Sequence, residues 1–325
     1  MKKLAVLLLS LVLIPLAHAE AQKQAIPAEG ISSNSQKPSS PGASSMRNAY
    51  KLSGELVQEK LAAENKNNKR IIKDISAADL VVITGTYDHI HTVLASLKLP
   101  FVQLSQEQLL NAELKPHQTV FVNCARSFPP EGARKLADFV NQGGQLITTD
   151  WALKNVLEVG FPKTVAYNKK STRDEVVRIE VMDSEDPVIK GFLNEETAPV
   201  WWLEGSSYPI KILDKKKVKT LIKSKELKDK YGEEAVLVRF KHGQGLVYHM
   251  ISHFYLQRTE TKDMKQGESA MNYLKSQGVP QSRMKKMEGS VKEYELNYGE
   301  VQSANTSSEF IMRAVIEQKK RNQKK

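Results

Sequence analysis

Three side chains that can take part in catalysis follow apolar segments of this 325-residue chain. Cys124 comes directly after TVFVN, Asp150 after QLITT, and His253 after GLVYHMIS. A thiol becomes a good nucleophile when a nearby imidazole takes its proton, and a carboxylate can orient that imidazole. These residue types indicate a hydrolase or transferase in which Arg126 helps to stabilise the thiolate. The local sequence N-C-A-R lacks the glycines of a sharp nucleophile turn, so a packed structural cysteine is the alternative.

A second interpretation of the same segments is a metal site. Its ligands would be carboxylates and imidazoles drawn from Asp88, His89, His91, Asp150 and His253. His89 and His91 are two residues apart, so they can converge only if the loop is extended there; on a helix they would diverge by about 200°. No tighter signature such as HExxH is present. One capping aspartate and scattered loop histidines are therefore the alternative, and His89 and His91 are weak metal candidates.

A third interpretation is a pocket that binds a ligand without catalysis. Its walls would come from aromatic residues, with Trp151, Trp201 and Trp202 as candidates, although a tryptophan pair beside a strand commonly belongs to the core. The chain contains no P-loop, no G-x-G-x-x-G fingerprint and no G-x-S-x-G turn, so no cofactor is predicted. The residues expected to line such a pocket are Tyr87, Asp88, Cys124, Arg126, Asp150, Trp151 and His253.

Alternating strand and helix patterns must position these side chains. Continuous apolar runs typical of buried parallel strands occur at residues 78–85, 101–104, 119–123 and 145–149. Helical spacing follows each of them, at residues 90–97, 106–114, 129–142 and 152–159. This rhythm predicts an α/β fold with a doubly wound, mostly parallel, flavodoxin-like sheet and helices on both faces. In such sheets ligands bind at the carboxyl ends of the strands, where the candidate residues lie.

The pattern changes between about residues 163 and 240. Short strands without intervening helices predict a β-rich insertion, and GQGLVYHMIS then returns to a core-like strand. Residues 268–276 and 307–320 have the pattern of closing helices, the second leading into a basic tail. We therefore expect residues 71–325 to form one α/β domain with this insertion and a basic C-terminal helix.

The N-terminal part has a different character. Residues 1–19 combine two lysines, an apolar run and an Ala-His-Ala site, which predicts a signal peptide and a periplasmic or secreted protein. Residues 20–70 predict a spacer, disordered over 20–50, followed by a short helix. A single cysteine in an exported chain cannot form an internal disulfide. Cys124 is then a buried small side chain, a reactive thiol or half of an intermolecular bridge.

The net charge of +11 is concentrated in lysine-rich segments. Residues 211–230 contain nine lysines against three acidic residues. This surface could bring Lys215, Lys216 and Lys217 into weak contact with anionic polymers or lipids. No aromatic residues are interleaved with these lysines, so the segment does not indicate specific nucleic-acid binding, and a solvated face is the alternative.

Three motifs between about residues 78 and 256 suggest a family: FVNQGGQLITTDWAL, DPVIKGF and HGQGLVYHMISHF. Together they resemble the class I glutamine amidotransferase-like superfamily, and within it the flavodoxin-like, trehalose-utilisation-type branch. The resemblance implies a domain of that fold. It also implies that active members carry a cysteine in a G-x-C-x-G turn directly after the strand equivalent to residues 145–149.

The chain departs from that family pattern at the catalytic positions. Thr149-Asp150-Trp151-Ala152 stands where the nucleophile turn is expected, and Cys124 lies one strand earlier. His253 could match the family's late histidine, but no carboxylate follows in HFYLQR. We therefore expect an exported, non-catalytic protein of the bacterial cell envelope that binds a small molecule or an envelope protein. The alternative is a hydrolase that acts on a sugar or cell-wall derivative through Asp150 and His253.

Overall fold

A computed structural model describes residues 41–87, 89–190, 193, 199–257 and 261–324 of the chain. The predicted signal peptide and the predicted spacer up to residue 40 lie outside the described residues, as does Asp88. Among the described helices, none combines the length and the apolar character needed to cross a bilayer.

The strands are numbered in chain order. They are β1 (Leu80–Ile83), β2 (Val102–Leu104), β3 (Thr119–Asn123), β4 (Gln145–Thr149), β5 (Val165–Tyr167), β6 (Glu175–Arg178), β7 (Glu180–Val181), β8 (Val200–Leu203), β9 (Ile210–Ile212), β10 (Lys219–Lys223), β11 (Ala235–His242) and β12 (Gly245–Met250).

The α-helices follow the same convention. They are α1 (Pro41–Glu64), α2 (Lys66–Lys73), α3 (Ile90–Ser96), α4 (Gln106–Asn111), α5 (Pro130–Asn141), α6 (Glu158–Gly160), α7 (Lys225–Tyr231), α8 (Ala270–Ser276), α9 (Gln281–Glu293) and α10 (Tyr298–Gln323). A π-helical turn at Leu153–Leu157 precedes α6.

Five parallel strands form the centre of the sheet in the order β2-β1-β3-β4-β12. The chain therefore starts in the interior of the sheet, moves outward to β2, and then returns across β1 to build the other half. This is the flavodoxin-type order, and its switch point lies between β1 and β3. All residues of β1, β3 and β4 are buried, as expected for strands covered on both faces. The predicted doubly wound α/β fold is confirmed.

The predicted β-rich insertion extends this sheet with antiparallel strands. From β12 the order continues through β11 and β10 to β7, while β9 pairs with both β11 and β5. The strands β6 and β8 form a separate antiparallel pair. The loop that joins β8 to β9 passes over the carboxyl ends of the parallel strands, so the insertion contributes residues to that edge of the sheet.

Helices cover the sheet in two groups. One group contains α1, α3 and α10, and the other contains α4, α5 and α6. The double glycine after α5 ends that helix as predicted: Gly143 adopts a φ of 119°, and its N–H donates to the carbonyl of Val140 at 2.9 Å. This turn leads the chain directly into β4.

The predicted disordered spacer is wrong for residues 41–50, because α1 begins at Pro41 and packs against α10. One face of α1 is fully buried through Met46, Ala49, Tyr50, Val57 and Leu61. Small and polar residues lie between these positions and obscure their helical spacing in the sequence. Burial of this face stabilises α1 although its sequence pattern is only weakly helical, because packing supplies most of the stability of a helix.

Charged contacts also join α1 to α10. Arg313 lies 2.6 Å from Glu64 and 2.7 Å from Glu309, and Lys60 lies 2.9 Å from Glu309. Because Glu309 is buried, these cations are needed to compensate its charge. The helix α10 is also longer than predicted, since it begins at Tyr298 rather than near residue 307.

Candidate functional site

The site begins where three neighbouring parallel strands end. Cys124 follows β3, Asp150 follows β4, and Ser252 and His253 follow β12 by two and three residues. Cys124, Asp150 and Ser252 have positive φ values of 38°, 48° and 69°. Side chains other than glycine rarely adopt this conformation, and such strain is concentrated at functional sites. Each turn therefore bends the chain sharply at the edge of the sheet.

Backbone hydrogen bonds fix these turns to one another. The N–H of Cys124 donates to the carbonyl of Thr149 at 3.1 Å, and the N–H of Asp150 donates to the carbonyl of Met250 at 3.0 Å. The parallel ladder thus continues one residue past the ends of β3 and β4. Because the ladder holds both residues, their side chains emerge side by side from a rigid edge.

The side chains of Cys124, Asp150 and His253 meet at this edge. The Sγ atom of Cys124 lies 3.9 Å from Oδ2 of Asp150, and Nε2 of His253 lies 3.3 Å from the same oxygen. All three residues are buried, and Cys124 is only 1% exposed. Of the alternatives for the single cysteine, an intermolecular bridge does not fit this conformation, because the sulfur lies inside the fold.

The insertion supplies a second carboxylate that the sequence interpretation missed. Glu204 directly follows β8, and its Oε2 atom lies 2.7 Å from Nδ1 of His253. No carboxylate follows His253 closely in the sequence, but Glu204, about 50 residues earlier in the chain, takes this position beside His253 in the fold. The only sequence signal for it is an acidic residue at the end of the apolar run PVWWLEG.

The same loop holds Asp150 in place. The hydroxyl of Ser207 donates to Oδ2 of Asp150 at 3.0 Å, and the N–H of Tyr208 donates to Oδ1 at 2.9 Å. Asp150 is 2% exposed, so these donors replace the water that a buried carboxylate would otherwise need. The indole N–H of Trp151 donates to the carbonyl of Ser206 at 2.8 Å and ties the loop to β4.

These groups open onto a cavity of about 490 Å³. Tyr87 and Trp151 meet edge to face at 5.4 Å between ring centroids, and Trp151 lies 6.0 Å from Tyr208. Tyr87 is 51% exposed and stands at the rim. The described residues that line the cavity are Tyr87, His89, Cys124, Asp150, Trp151, Glu204, Gly205, Ser206, His253, Tyr255 and Gln257.

Two neighbouring groups have shifted pKa values. Burial, together with the nearby Tyr167 and Asp150, raises the pKa of Tyr208, so its phenol stays protonated. Burial, together with the neighbouring His89, lowers the pKa of His91. His91 is therefore neutral near pH 7, but it does not line the cavity.

A residue from α1 fixes the segment that carries His253. The hydroxyl of the fully buried Tyr50 donates to the carbonyl of Phe254 at 2.7 Å and accepts the N–H of Leu256 at 3.1 Å. The helix that the sequence assigned to a spacer therefore holds the site loop. Nothing in the sequence near Tyr50 indicates this role, because its partners are about 200 residues away.

Not every residue predicted for the site is there. Of the predicted residues, the cavity is lined by Tyr87, His89, Cys124, Asp150, Trp151 and His253. Arg126 is exposed and is not among the described residues that line the cavity. Trp201 and Trp202 belong to the core; the indole of Trp201 donates to the carbonyl of Ile251 at 3.0 Å. Asp88 lies outside the described residues.

Among the described residues, His89 and His91 do not belong to a group of metal ligands. His89 precedes α3 and His91 lies in its first turn, with their rings 5.6 Å apart and perpendicular. In the described part of the chain, the group with suitable ligand atoms is instead Cys124, Asp150 and His253, whose ligand atoms all lie within 4.8 Å of one another. This arrangement can transfer a proton or hold a cation.

Comparisons with known proteins give a weak and partial picture. No family model matches the chain, and no curated protein matches it. A cytoplasmic protein from Salmonella typhimurium is similar over 55% of this chain and 88% of its own, at 11% identity and a TM-score of 0.38. A ThuA-like protein from Bacteroides uniformis is similar over 54% and 80%, at 11% identity and a TM-score of 0.37.

One further similarity involves a much larger protein. A β-galactosidase from Bacillus circulans is similar over 54% of this chain but only 28% of its own length, at 16% identity and a TM-score of 0.38. The strand order of this chain agrees with the flavodoxin-like fold that the sequence resemblance implies. Identities this low leave the function to be argued from the site itself.

Proposed function

We propose that this chain is an exported protein of the bacterial cell envelope that binds a small polar molecule in the cavity at the carboxyl edge of its sheet. The observation that supports this proposal is the convergence of acidic, imidazole and aromatic groups on one 490 Å³ cavity. Clefts and cavities with a few convergent polar groups are the usual form of a small-molecule site. Export rests on the signal-like residues 1–19.

The chemistry of the cavity favours a hydroxyl-rich ligand. The carboxylates of Asp150 and Glu204 accept hydrogen bonds, and the rings of Tyr87, Trp151 and Tyr255 offer apolar surfaces. None of the described residues that line the cavity is lysine or arginine, so an anionic ligand would find no cation of that kind there. A sugar or a sugar-containing cell-wall fragment meets these requirements.

The indole of Trp151 gives a direct test of ligand binding. Trp201 and Trp202 are buried in β8, so a bound ligand should perturb mainly the fluorescence of Trp151. Titration with a panel of neutral mono- and disaccharides should change the emission of the wild type. Trp151→Phe should lose the change, and Asp150→Asn should weaken binding measured by calorimetry.

An exposed lysine outside the cavity provides a matched control. Lys216→Ala, in the turn between β9 and β10, should bind the same ligand with unchanged affinity. The proposal fails if no member of the panel binds by calorimetry or native mass spectrometry, or if Trp151→Phe and Asp150→Asn bind as tightly as the wild type.

A hydrolase is the second candidate, and one observation favours it. His253 stands between two carboxylates, 3.3 Å from Asp150 and 2.7 Å from Glu204. An imidazole oriented by a carboxylate at the wall of a cavity can act as a general acid or base. Chromogenic glycosides and esters should then be hydrolysed by the wild type and at least about 100-fold more slowly by His253→Asn, given typical acid–base contributions. Equal rates in both proteins would remove this candidate.

The proposal includes a weak contact with anionic surfaces of the envelope. Lys215, Lys216 and Lys217 form an exposed turn between β9 and β10, and the N–H groups of Lys216 and Lys217 donate to Asp214. The turn therefore presents three cations on a fixed backbone, and its partner would be anionic lipid or polymer, or an acidic envelope protein.

A further inference from the structure

We propose that Cys124, Asp150 and His253 bind one zinc-class divalent cation at the floor of the cavity. Their ligand atoms come from three neighbouring strand ends and all lie within 4.8 Å of one another. The proposal goes beyond the binding of a small molecule and does not depend on it. Its ligands are also different from His89 and His91, the pair that the sequence suggested.

The distances fit a tetrahedral ion. Zinc bonds of about 2.0–2.3 Å to nitrogen, oxygen and sulfur separate the ligand atoms by roughly 3.3–3.6 Å. Nε2 of His253 lies 3.3 Å from Oδ2 of Asp150, and Sγ of Cys124 lies 3.9 Å from the same oxygen. The third pair, Sγ of Cys124 and Nε2 of His253, lies within 4.8 Å, so a movement of the cysteine side chain toward the other two ligands would bring all three to tetrahedral spacing.

The surroundings hold the ligands as in known zinc sites. Glu204 lies 2.7 Å from Nδ1 of His253, and a carboxylate on the outer nitrogen is the usual partner of a metal-binding histidine. Ser207 and Tyr208 donate to the two oxygens of Asp150 and fix its plane. These contacts are formed by a loop of the insertion, so the site is built from both parts of the fold.

The tautomer of His253 also favours a cation. When Nδ1 donates its hydrogen to Glu204, a neutral imidazole presents a lone pair at Nε2. That lone pair faces a carboxylate oxygen of Asp150 at 3.3 Å. Two acceptors so close repel each other unless a proton or a cation lies between them. A metal ion satisfies both, and it can also bind the sulfur of Cys124.

Charge and ligand type define the class of metal. Cys124, Asp150 and Glu204 bring together three groups that can be anionic, and the cavity is lined by no lysine or arginine among the described residues. Thiolate and imidazole ligands suit zinc and related transition metals, whereas magnesium and calcium prefer oxygen alone. Three protein ligands beside an open cavity leave the fourth position for water or a ligand, as in catalytic zinc sites.

The test uses the full chain without a polyhistidine tag, stripped with a chelator and dialysed. Calorimetric titration with zinc should show one equivalent bound. Titration with cobalt should show tetrahedral absorption bands together with a thiolate-to-cobalt band in the near ultraviolet. Cys124→Ser should lose the thiolate band. Glu204→Gln should weaken zinc binding about 10–100-fold, as is typical when the outer partner of a zinc-binding histidine is lost.

Matched variants separate this site from other histidines. Asp150→Asn and His253→Gln should weaken zinc binding more than Glu204→Gln does, whereas His91→Gln should leave the affinity and the stoichiometry unchanged. Circular dichroism checks that each variant is folded. The cobalt spectrum of the wild type tests the proposal even if a variant fails to fold. A wild type that binds no zinc, or a cobalt complex without the thiolate band, would overturn the proposal.

Titration of chelated and of zinc-loaded protein with the sugar panel keeps the two proposals distinguishable. Zinc binding with no sugar binding would contradict the small-molecule proposal only. Sugar binding with no zinc binding would contradict the metal proposal only.

Discussion

Nδ1 of His253 lies 2.7 Å from Oε2 of Glu204, and this contact joins the end of a central parallel strand to a loop of the β-rich insertion. Neither part of the fold contains a complete site. The parallel strands supply Cys124, Asp150 and His253, while the insertion supplies the carboxylate and the donors that orient them.

Glu204→Gln should change the tautomer of His253. In the wild type the carboxylate holds the hydrogen on Nδ1, whereas an amide side chain can either donate to that nitrogen or accept from it. The imidazole ¹⁵N shifts of His253 in the wild type should report one tautomer, and those of the variant a mixture. The exposed His117 serves as an internal reference in both spectra. Identical His253 shifts in the two proteins would contradict the proposed orientation.

Tyr50→Phe should destabilise the protein by about 1–3 kcal/mol, because it leaves the carbonyl of Phe254 and the N–H of Leu256 without the hydroxyl. Urea unfolding followed by circular dichroism measures this loss. The half-buried Tyr294, at the end of α9, gives the matched control Tyr294→Phe, for which we expect a change within about 0.5 kcal/mol. Equal stabilities of Tyr50→Phe and wild type would show that α1 does not fix the site loop.

Two glycines should respond to alanine in opposite directions. A Cβ atom on Gly85 would lie 1.6 Å from the carbonyl oxygen of Asn123, because the chain beyond β1 still runs close to the end of β3, with the N–H of Thr86 donating to the carbonyl of Cys124 at 3.1 Å. Because this neighbour is backbone, Gly85→Ala should cost at least about 1–3 kcal/mol. Gly289 lies inside α9 with nothing within 4 Å of the added atom, so Gly289→Ala should stabilise by about 0.5–1 kcal/mol. Thermal unfolding of both variants measures these changes in stability. A destabilised Gly289→Ala or an unchanged stability of Gly85→Ala would contradict the prediction.

The sequence predicts the central sheet well because buried parallel strands are continuous apolar runs. LVVI, TVFVN and QLITT are each buried along their whole length, and each is followed by a helix. Since carboxyl ends of parallel strands share one edge, the convergence of Cys124, Asp150 and His253 also follows from the pattern. The doubly wound sheet and the candidate residues at its edge could therefore be predicted together.

Contacts between distant segments could not be predicted in this way. Glu204 and Tyr50 reach the site only through the folded path of the insertion and of α1, and a single sequence contains no signal for such pairs. The first turns of α1 are not predicted because small and polar residues lie between the buried positions Met46, Ala49 and Tyr50. Arg126 does not line the cavity for a related reason: a residue three positions past a strand end can turn outward, and its direction depends on the loop.

Reversal of charge at the lysine turn tests the expected surface contact. The triple variant Lys215→Glu, Lys216→Glu, Lys217→Glu should lose binding to vesicles that contain anionic lipid, measured by co-sedimentation. Binding of the wild type should weaken steeply between low salt and about 0.15 M, where charges more than about 8 Å apart are screened. The matched control is the same replacement by glutamate at three lysines of α9 that are not part of this turn, Lys285, Lys286 and Lys292. Wild-type binding that is absent at low salt, or equal in both triple variants, would contradict the contact.

His249 should make the stability depend on pH. Its ring is fully buried beside Thr148, with Nδ1 2.9 Å from Oγ1 of that residue, and burial lowers the pKa of His249 to about 3 from its usual 6.5. As the pH falls below about 6.5, the unfolded chain takes up a proton at this residue while the folded chain does not. The stability that uncharged His249 contributes is therefore fully present above its pKa in the unfolded chain. It is lost at about 1.4 kcal/mol per pH unit as the pH falls toward its pKa in the folded protein.

The variant His249→Gln removes this titration. Between pH 6.5 and pH 5 the wild type should lose about 2 kcal/mol more of its free energy of unfolding than the variant does. Urea unfolding at several pH values measures the difference, and groups common to both proteins cancel in the comparison. His117→Gln, at an exposed position, should keep the wild-type slope. If the free energy of unfolding of His249→Gln changed with pH as it does in the wild type, His249 would have to be protonated in the folded protein. That result would contradict the prediction that His249 is buried as an uncharged imidazole.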